Sequence, residues 1–97
     1  MVLNKTLNGN ELIISIEGRL DTTTAPQLEE ELGALENVKS LIIDMEKLVY
    51  ISSAGLRVLL KAQKIMNKQG SMVVKNVSKE IKDIFEVTGF DELLNVE

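Results

Sequence analysis

Apolar residues recur along this chain at two different periods, and the switches between them mark its elements. Val2 to Leu7 and Glu11 to Glu17 have the β-branched and aliphatic content of strands. Asn8-Gly9-Asn10 between them is a turn signal, so the pair predicts a hairpin. Gly18 to Thr23 reads as a loop. Thr23 or Thr24 caps a helix that tolerates Pro26 in its first turn, with Leu28, Leu32 and Leu35 as its apolar stripe and Gly33 weakening or ending it. Val38 to Asp44 is a short buried strand. Leu56, Leu59, Leu60, Ala62 and Met66 then recur at three- and four-residue spacings, which predicts a helix from about Ser53 to Lys68 with that face buried. Gln69-Gly70 stops it, and Ser71 to Lys75 is a further strand. Ser78 caps another helix with Ile81, Ile84, Phe85 and Val87 turned inward, and Gly89 ends it in the left-handed region. Phe90, Leu93, Leu94 and Val96 close the chain as a short helix or strand. Met66 and Met72 read as core fillers.

Strand–helix alternation after an opening hairpin implies a mixed sheet with parallel crossovers, an α/β sandwich. The 97 residues suffice for one core, so residues 1–97 form a single domain. In parallel crossovers, sites lie where strand C-terminal ends meet helix N-terminal ends. Arg19 to Thr24 and Asp44 to Gly55 both occupy that position.

Composition narrows the chemistry. There is no histidine, so Ser-His-Asp and Cys-His nucleophile arrangements and histidine zinc sites are excluded. There is no cysteine, which removes disulfides and thiolate metal sites and agrees with a cytoplasmic location. Glu29-Glu30-Glu31 lies on a predicted helix, where consecutive acids point in different directions, and reads as solvated surface. The six glycines form neither a dinucleotide nor a P-loop pattern, so neither an enzyme nor a resident cofactor is expected. A net charge of −4, with lysines interspersed among acids, argues against direct nucleic-acid binding. Although 44% of residues are apolar, no run approaches the roughly 20 needed to cross a bilayer, and membrane insertion is not expected. Proteins are the expected partners.

The stretch Asp44-Met-Glu-Lys-Leu-Val-Tyr-Ile-Ser-Ser-Ala-Gly-Leu-Arg57 carries the most information. A strand ends in a loop that brings two hydroxyls, Ser52 and Ser53, to a helix N-terminus. The unpaired N–H groups and partial positive charge of such an end accommodate a phosphate. Each residue has a plainer reading as well. Either serine is an ordinary N-cap, Asp44 a strand-end cap, Asp21 a turn residue, Tyr50 a packed ring with an exposed hydroxyl, and Gly55 a small residue required by packing.

With its flanks, this stretch resembles the signature loop of the STAS domain, in particular of small bacterial anti-sigma factor antagonists. Gly18-Arg19-Leu20-Asp21 is similar to the Gly-x-Leu-Asp loop of that family. Asp44 and Leu48-Val49-Tyr50-Ile51 match its strand end and following loop, and Ser52-Ser53-Ala54-Gly55-Leu56 stands for its Asp-Ser-Ser/Thr-Gly-Leu. The resemblance implies a STAS-like α/β sandwich with a mixed four- to five-stranded sheet and about four helices. It further implies a phosphorylation-switched binding module, whose phosphoacceptor falls on Ser53 when Gly55 and Leu56 serve as anchors, with Ser52 as the alternative. Expected partners are an anti-sigma factor of the serine-kinase type, which would bring ATP and magnesium, and a serine phosphatase. The surface implied for them is Asp21, Thr22, Thr23, Asp44, Tyr50 and Ser52 to Arg57, with Asp44 either assisting phosphorylation or merely capping its strand. Two other roles fit the same sequence: a STAS scaffold subunit of a larger regulatory or transport complex, or a nucleotide-binding regulatory domain.

Overall fold

The computed structural model describes all of residues 1–97. The opening hairpin pairs β1 (Val2–Asn8) with β2 (Glu11–Leu20) in antiparallel register, Asn8 opposite Glu11 at the turn and Val2 opposite Glu17 at the open end. β3 (Ser40–Asp44) runs parallel to the first half of β2, with Glu11 opposite Ser40 and Ser15 opposite Asp44. β5 (Ser71–Lys75) lies parallel to β3 on its far side. β4 (Leu48–Ile51) pairs in parallel with the second half of β2, Gly18 to Leu20, beyond the stretch that β3 covers. The result is a mixed five-stranded sheet in which one long strand carries two shorter ones end to end along the same side.

Alternation decides which face is packed. Leu12, Ile14 and Ile16 of β2, Leu41 and Ile43 of β3, and Met72 and Val74 of β5 are buried on one face. Against that face pack α1 (Ala25–Glu31), continued by a 3-10 turn over Leu32–Ala34, and α2 (Ser53–Asn67). α2 presents Leu56, Leu59, Ala62 and Met66 inward, as their spacing predicts, while Leu60 is half-buried at the margin. α3 (Lys79–Thr88) is capped by Ser78, whose hydroxyl accepts a hydrogen bond from the Ile81 amide at 3.3 Å, and ends at Gly89 with φ +80°. Ile81 and Phe85 are buried, and Ile84 half so. Val87, expected inward, is 86% exposed: six residues after Ile81 it has rotated onto the solvent side. α4 (Phe90–Leu93) is a single turn that returns the chain to β5, where Val74 donates its amide to the Asn95 carbonyl and Glu97 its own to Val74.

Two expectations change. Gly18 to Leu20 is strand rather than loop, and Leu48 to Ile51 is a strand in its own right. Each supplies the other's pairing partner, and four residues bracketed by loops carry no periodic signal of their own.

Candidate functional site

At the end of the sheet where β2 and β4 finish together, the Ser52 amide donates to the Leu20 carbonyl at 2.9 Å. That bond ties the loop after β2 to the start of α2, so the two segments singled out in the sequence meet. Ser52 is the N-cap residue, with extended backbone (φ −101°, ψ 174°), and its carbonyl accepts the first helical bond from Leu56 at 3.0 Å. Its hydroxyl makes no capping bond and is buried without a partner. Ser53, one residue later, is exposed on the first turn. α2 therefore begins with neither a side-chain cap nor an acidic residue in its first turn. The positive end of a 15-residue helix is left uncompensated beside an accessible hydroxyl.

Gly55 explains how tightly this helix start is seated. A Cβ there would lie 2.7 Å from Leu20 Cγ and 3.0 Å from Ile51 Cγ1, so the backbone rests directly on the side chains at the ends of β2 and β4. Gly55 and Leu56 are both buried. The resemblance put both on the recognition surface; they belong instead to the core that positions it, and for Gly55, seated on Leu20 and Ile51, the packing reading holds. Ala54 is half-buried and Arg57 exposed, and both line a shallow groove of about 310 Å³ between α1 and α2 together with Thr22, Ala25, Pro26 and Val58. The Lys61–Glu29 ion pair, 3.2 Å, closes its far end.

Asp21 organises the neighbouring loop. Its carboxylate Oδ1 accepts from the Thr23 hydroxyl at 2.7 Å, the Thr23 amide at 3.0 Å and the Thr24 amide at 3.2 Å. Thr24 occupies the cap position of α1, yet its hydroxyl turns back, accepting from the Asp21 amide and donating to the Arg19 carbonyl, both at 2.8 Å. Asp21 thus holds the loop that leads into α1, while the helix itself starts without a side-chain cap, contrary to the expectation for Thr23 or Thr24. Thr23 is exposed but shares its hydroxyl with Asp21; Thr22 is exposed and faces the groove.

Those bonds stabilise the ionised form, the Thr23 hydroxyl most of all, and hold the Asp21 carboxyl below its ordinary value against an opposing desolvation. A lowered folded-state pKa makes the contribution full above the unfolded value and lost as pH falls through the folded one. Asp21→Ala is accordingly expected to lower the melting temperature at pH 7. The gap to wild type should narrow progressively below about pH 4, and a gap that is the same at pH 3 and pH 7 would remove this carboxylate from the account.

Asp44 is not part of the site. It sits opposite Ser15 on β2, five residues before the Leu20 carbonyl that holds Ser52, a separation of about 16 Å along the strand. Its carboxylate accepts from the Glu46 amide and from Asn76 Nδ2, both at 3.0 Å, and so ties the end of β3 to the β5–α3 connection. The plainer reading of Asp44, a strand-end cap, is the one the geometry supports.

Sequence reasoning missed Val49 and Arg19. Leu48 lies opposite Gly18 and Tyr50 opposite Arg19, which leaves Val49 as the extra residue of a β-bulge, 71% exposed. The Arg19 guanidinium stands 4.2 Å over the centroid of the half-exposed Tyr50 ring and 3.6 Å from Asp21 Oδ2. Tyr50 is thus stacked, not merely packed. The available signal was Gly18 within a strand-like run, and two outward residues between buried Leu48 and Ile51, which strict alternation forbids.

Comparison with known proteins agrees with this fold. Residues 3–97 match the STAS domain. BtrV of Bordetella bronchiseptica, a candidate anti-sigma factor antagonist, is 38% identical over 82 residues, 81% of this chain and 71% of BtrV. The anti-sigma-B factor antagonist of Bacillus subtilis is 32% identical over 91 residues, 92% of this chain and 84% of that protein. Among solved structures, an anti-sigma factor antagonist from Mycobacterium paratuberculosis superposes with a TM-score of 0.87 at 23% identity, covering 98% of this chain and 83% of its own. The phosphorylated form of the Bacillus cell fate determinant SpoIIAA gives 0.77 at 17% identity, covering 99% and 91%. No helix is long and apolar enough to cross a membrane. With its five-stranded mixed sheet, its opening hairpin and homologues that are anti-sigma factor antagonists, the chain belongs to the STAS domain family.

Proposed function

We propose that this chain is itself an anti-sigma factor antagonist, a cytoplasmic protein that acts by binding and is switched by phosphorylation of Ser53. In its unphosphorylated form it binds an anti-sigma factor of the serine-kinase type and so frees the sigma factor held by that partner. The binding surface is the α1–α2 groove with exposed Thr22, Thr23 and Arg57 and half-buried Ala54, together with exposed Val49 and Tyr50 of β4. The observation that carries this reading is the division of labour between the two serines. Ser52 is held by both its backbone groups with a buried hydroxyl, while Ser53 presents its own to solvent at an uncompensated helix end.

In the phosphorylation step, the Ser53 Oγ–P bond forms as the bond from the γ-phosphorus of ATP to the bridging oxygen breaks. ADP leaves, and the hydroxyl proton passes to a base on the kinase. This chain supplies only the acceptor oxygen. The new group carries about −1.5 to −2 charges at pH 7. At the α2 N-terminus that charge meets unpaired amides and no competing acid, so the fold survives it. A serine phosphatase hydrolyses the ester and resets the surface.

The acceptor is tested by incubating wild type, Ser52→Ala and Ser53→Ala with the cognate kinase and ATP and mapping the phosphopeptides. Ser52→Ala is expected to label like wild type and Ser53→Ala not at all. Full labelling of Ser53→Ala would reassign the site, and no labelling of any of the three would remove the switch.

A further inference from the structure

The cations around the α1–α2 groove differ in one respect. Lys61 is paired with Glu29, and Arg19 with Asp21 and the Tyr50 ring. Arg57 is exposed, lines the groove, and takes part in none of the ion pairs, side-chain hydrogen bonds or stacking contacts of the chain. It also stands four residues after Ser53 on the same regular helix, the spacing that places two side chains on one face with Cβ atoms about 5–6 Å apart. The acid-first, base-second order is the more favourable one for such a pair, since each charge also complements the helix dipole.

We propose that Arg57 is an intramolecular clamp for the phosphorylated Ser53 side chain. The inference rests on Ser53 as phosphoacceptor and adds a regulatory part to it. Before modification the guanidinium is free to engage a partner in the groove. Afterwards its planar donor fork turns back one helical turn and takes two phosphate oxygens, a pairing to which guanidinium is better suited than ammonium. Phosphorylation then changes the groove twice: it adds a dianion and withdraws a cation. Lys61, the other cation that lines the groove, lies two turns from Ser53 and is held by Glu29.

The clamp is read from the phosphate itself. Phosphoserine is incorporated at position 53 during synthesis, which makes the measurement independent of any kinase, and its second pKa is followed by ³¹P NMR in wild type, Arg57→Gln and Lys61→Gln. A neighbouring cation favours the dianion, so Arg57→Gln should raise that pKa by about 0.4 unit, roughly a 2.5-fold change in proton affinity. Lys61→Gln should move it by less than about 0.1 unit, and added salt should shrink the Arg57 effect as it screens the pair. Equal values for wild type and Arg57→Gln would overturn the clamp. A kinase that ignores Ser53 would instead overturn the switch and leave this result standing. Arg57→Lys is the second variant: it keeps the charge but loses the fork, and its pKa should fall between the other two.

Discussion

Gly70→Ala is expected to be the most damaging alanine substitution among the glycines of this chain, costing about 3 kcal/mol and lowering the melting temperature by about 12 °C or more. A Cβ at Gly70 would fall inside the van der Waals envelope of the Lys39 carbonyl oxygen and lie 2.7 Å from its carbon. These are backbone atoms, with no flexible end to swing aside. They also belong to a junction: the Ser71 amide donates to that same Lys39 carbonyl at 2.9 Å, and the Lys39 amide to Asn10 at 2.8 Å. Gln69 donates from Nε2 to the Val38 carbonyl at 2.7 Å and to the Leu35 carbonyl. Moving any one strand start disturbs β2, β3 and β5 together. Gly33→Ala is the internal control. Its Cβ would meet nothing within 4 Å, so it should be neutral or stabilise by about 0.5 kcal/mol through the unfolded state. Urea unfolding of both variants decides the matter, and Gly70→Ala within about 1 kcal/mol of wild type would show that the junction yields more easily than its geometry implies.

Phosphorylation of Ser53 is expected to weaken anti-sigma factor binding by at least about 100-fold, near 2.7 kcal/mol. A dianion pressed into a packed interface costs several kcal/mol in desolvation and repulsion, which pairing with Arg57 offsets only in part. The same group costs the free protein little, because the first turn of α2 has no acid to repel it. Affinity and stability should therefore part company: titration calorimetry shows the loss while urea unfolding of the free phosphoprotein stays within about 1 kcal/mol of wild type. Ser53→Asp should reproduce only part of the loss, since a carboxylate has less charge and fewer oxygens. If authentic phosphoprotein and Ser53→Asp both bind like wild type, the switch model fails at its central claim.

The elements read best from sequence are those whose signal is local. The α2 face, the Asn8-Gly9-Asn10 turn, the Ser78 cap and the Gly89 terminus each depend on residues a few positions apart, and the structure places them as expected. The Ser52–Ser53 helix start was legible for the same reason. Asp21 was legible as a turn residue but not as the holder of Thr23 and Thr24, because the Thr24 hydroxyl that reads as a cap turns back to Arg19.

What the sequence determined by itself, then, is the alternation of strands and helices, the single core, the exclusion of histidine and cysteine chemistry, and two serines at a helix N-terminus downstream of a Gly-x-Leu-Asp motif. Tertiary structure alone decided which serine is free: Ser52 loses its hydroxyl to the interior because its amide is pulled onto Leu20, a residue 32 positions away. It alone separated Asp44 from the site, by pairing it with Ser15 instead of the end of β2. It alone made β4 a strand and turned Val49 outward, through a register shift opposite Gly18 and Arg19. The physical reason is common to all three. Backbone pairing between distant segments sets which face and which end of the sheet a residue occupies, and no periodicity within a segment encodes the register of its neighbour.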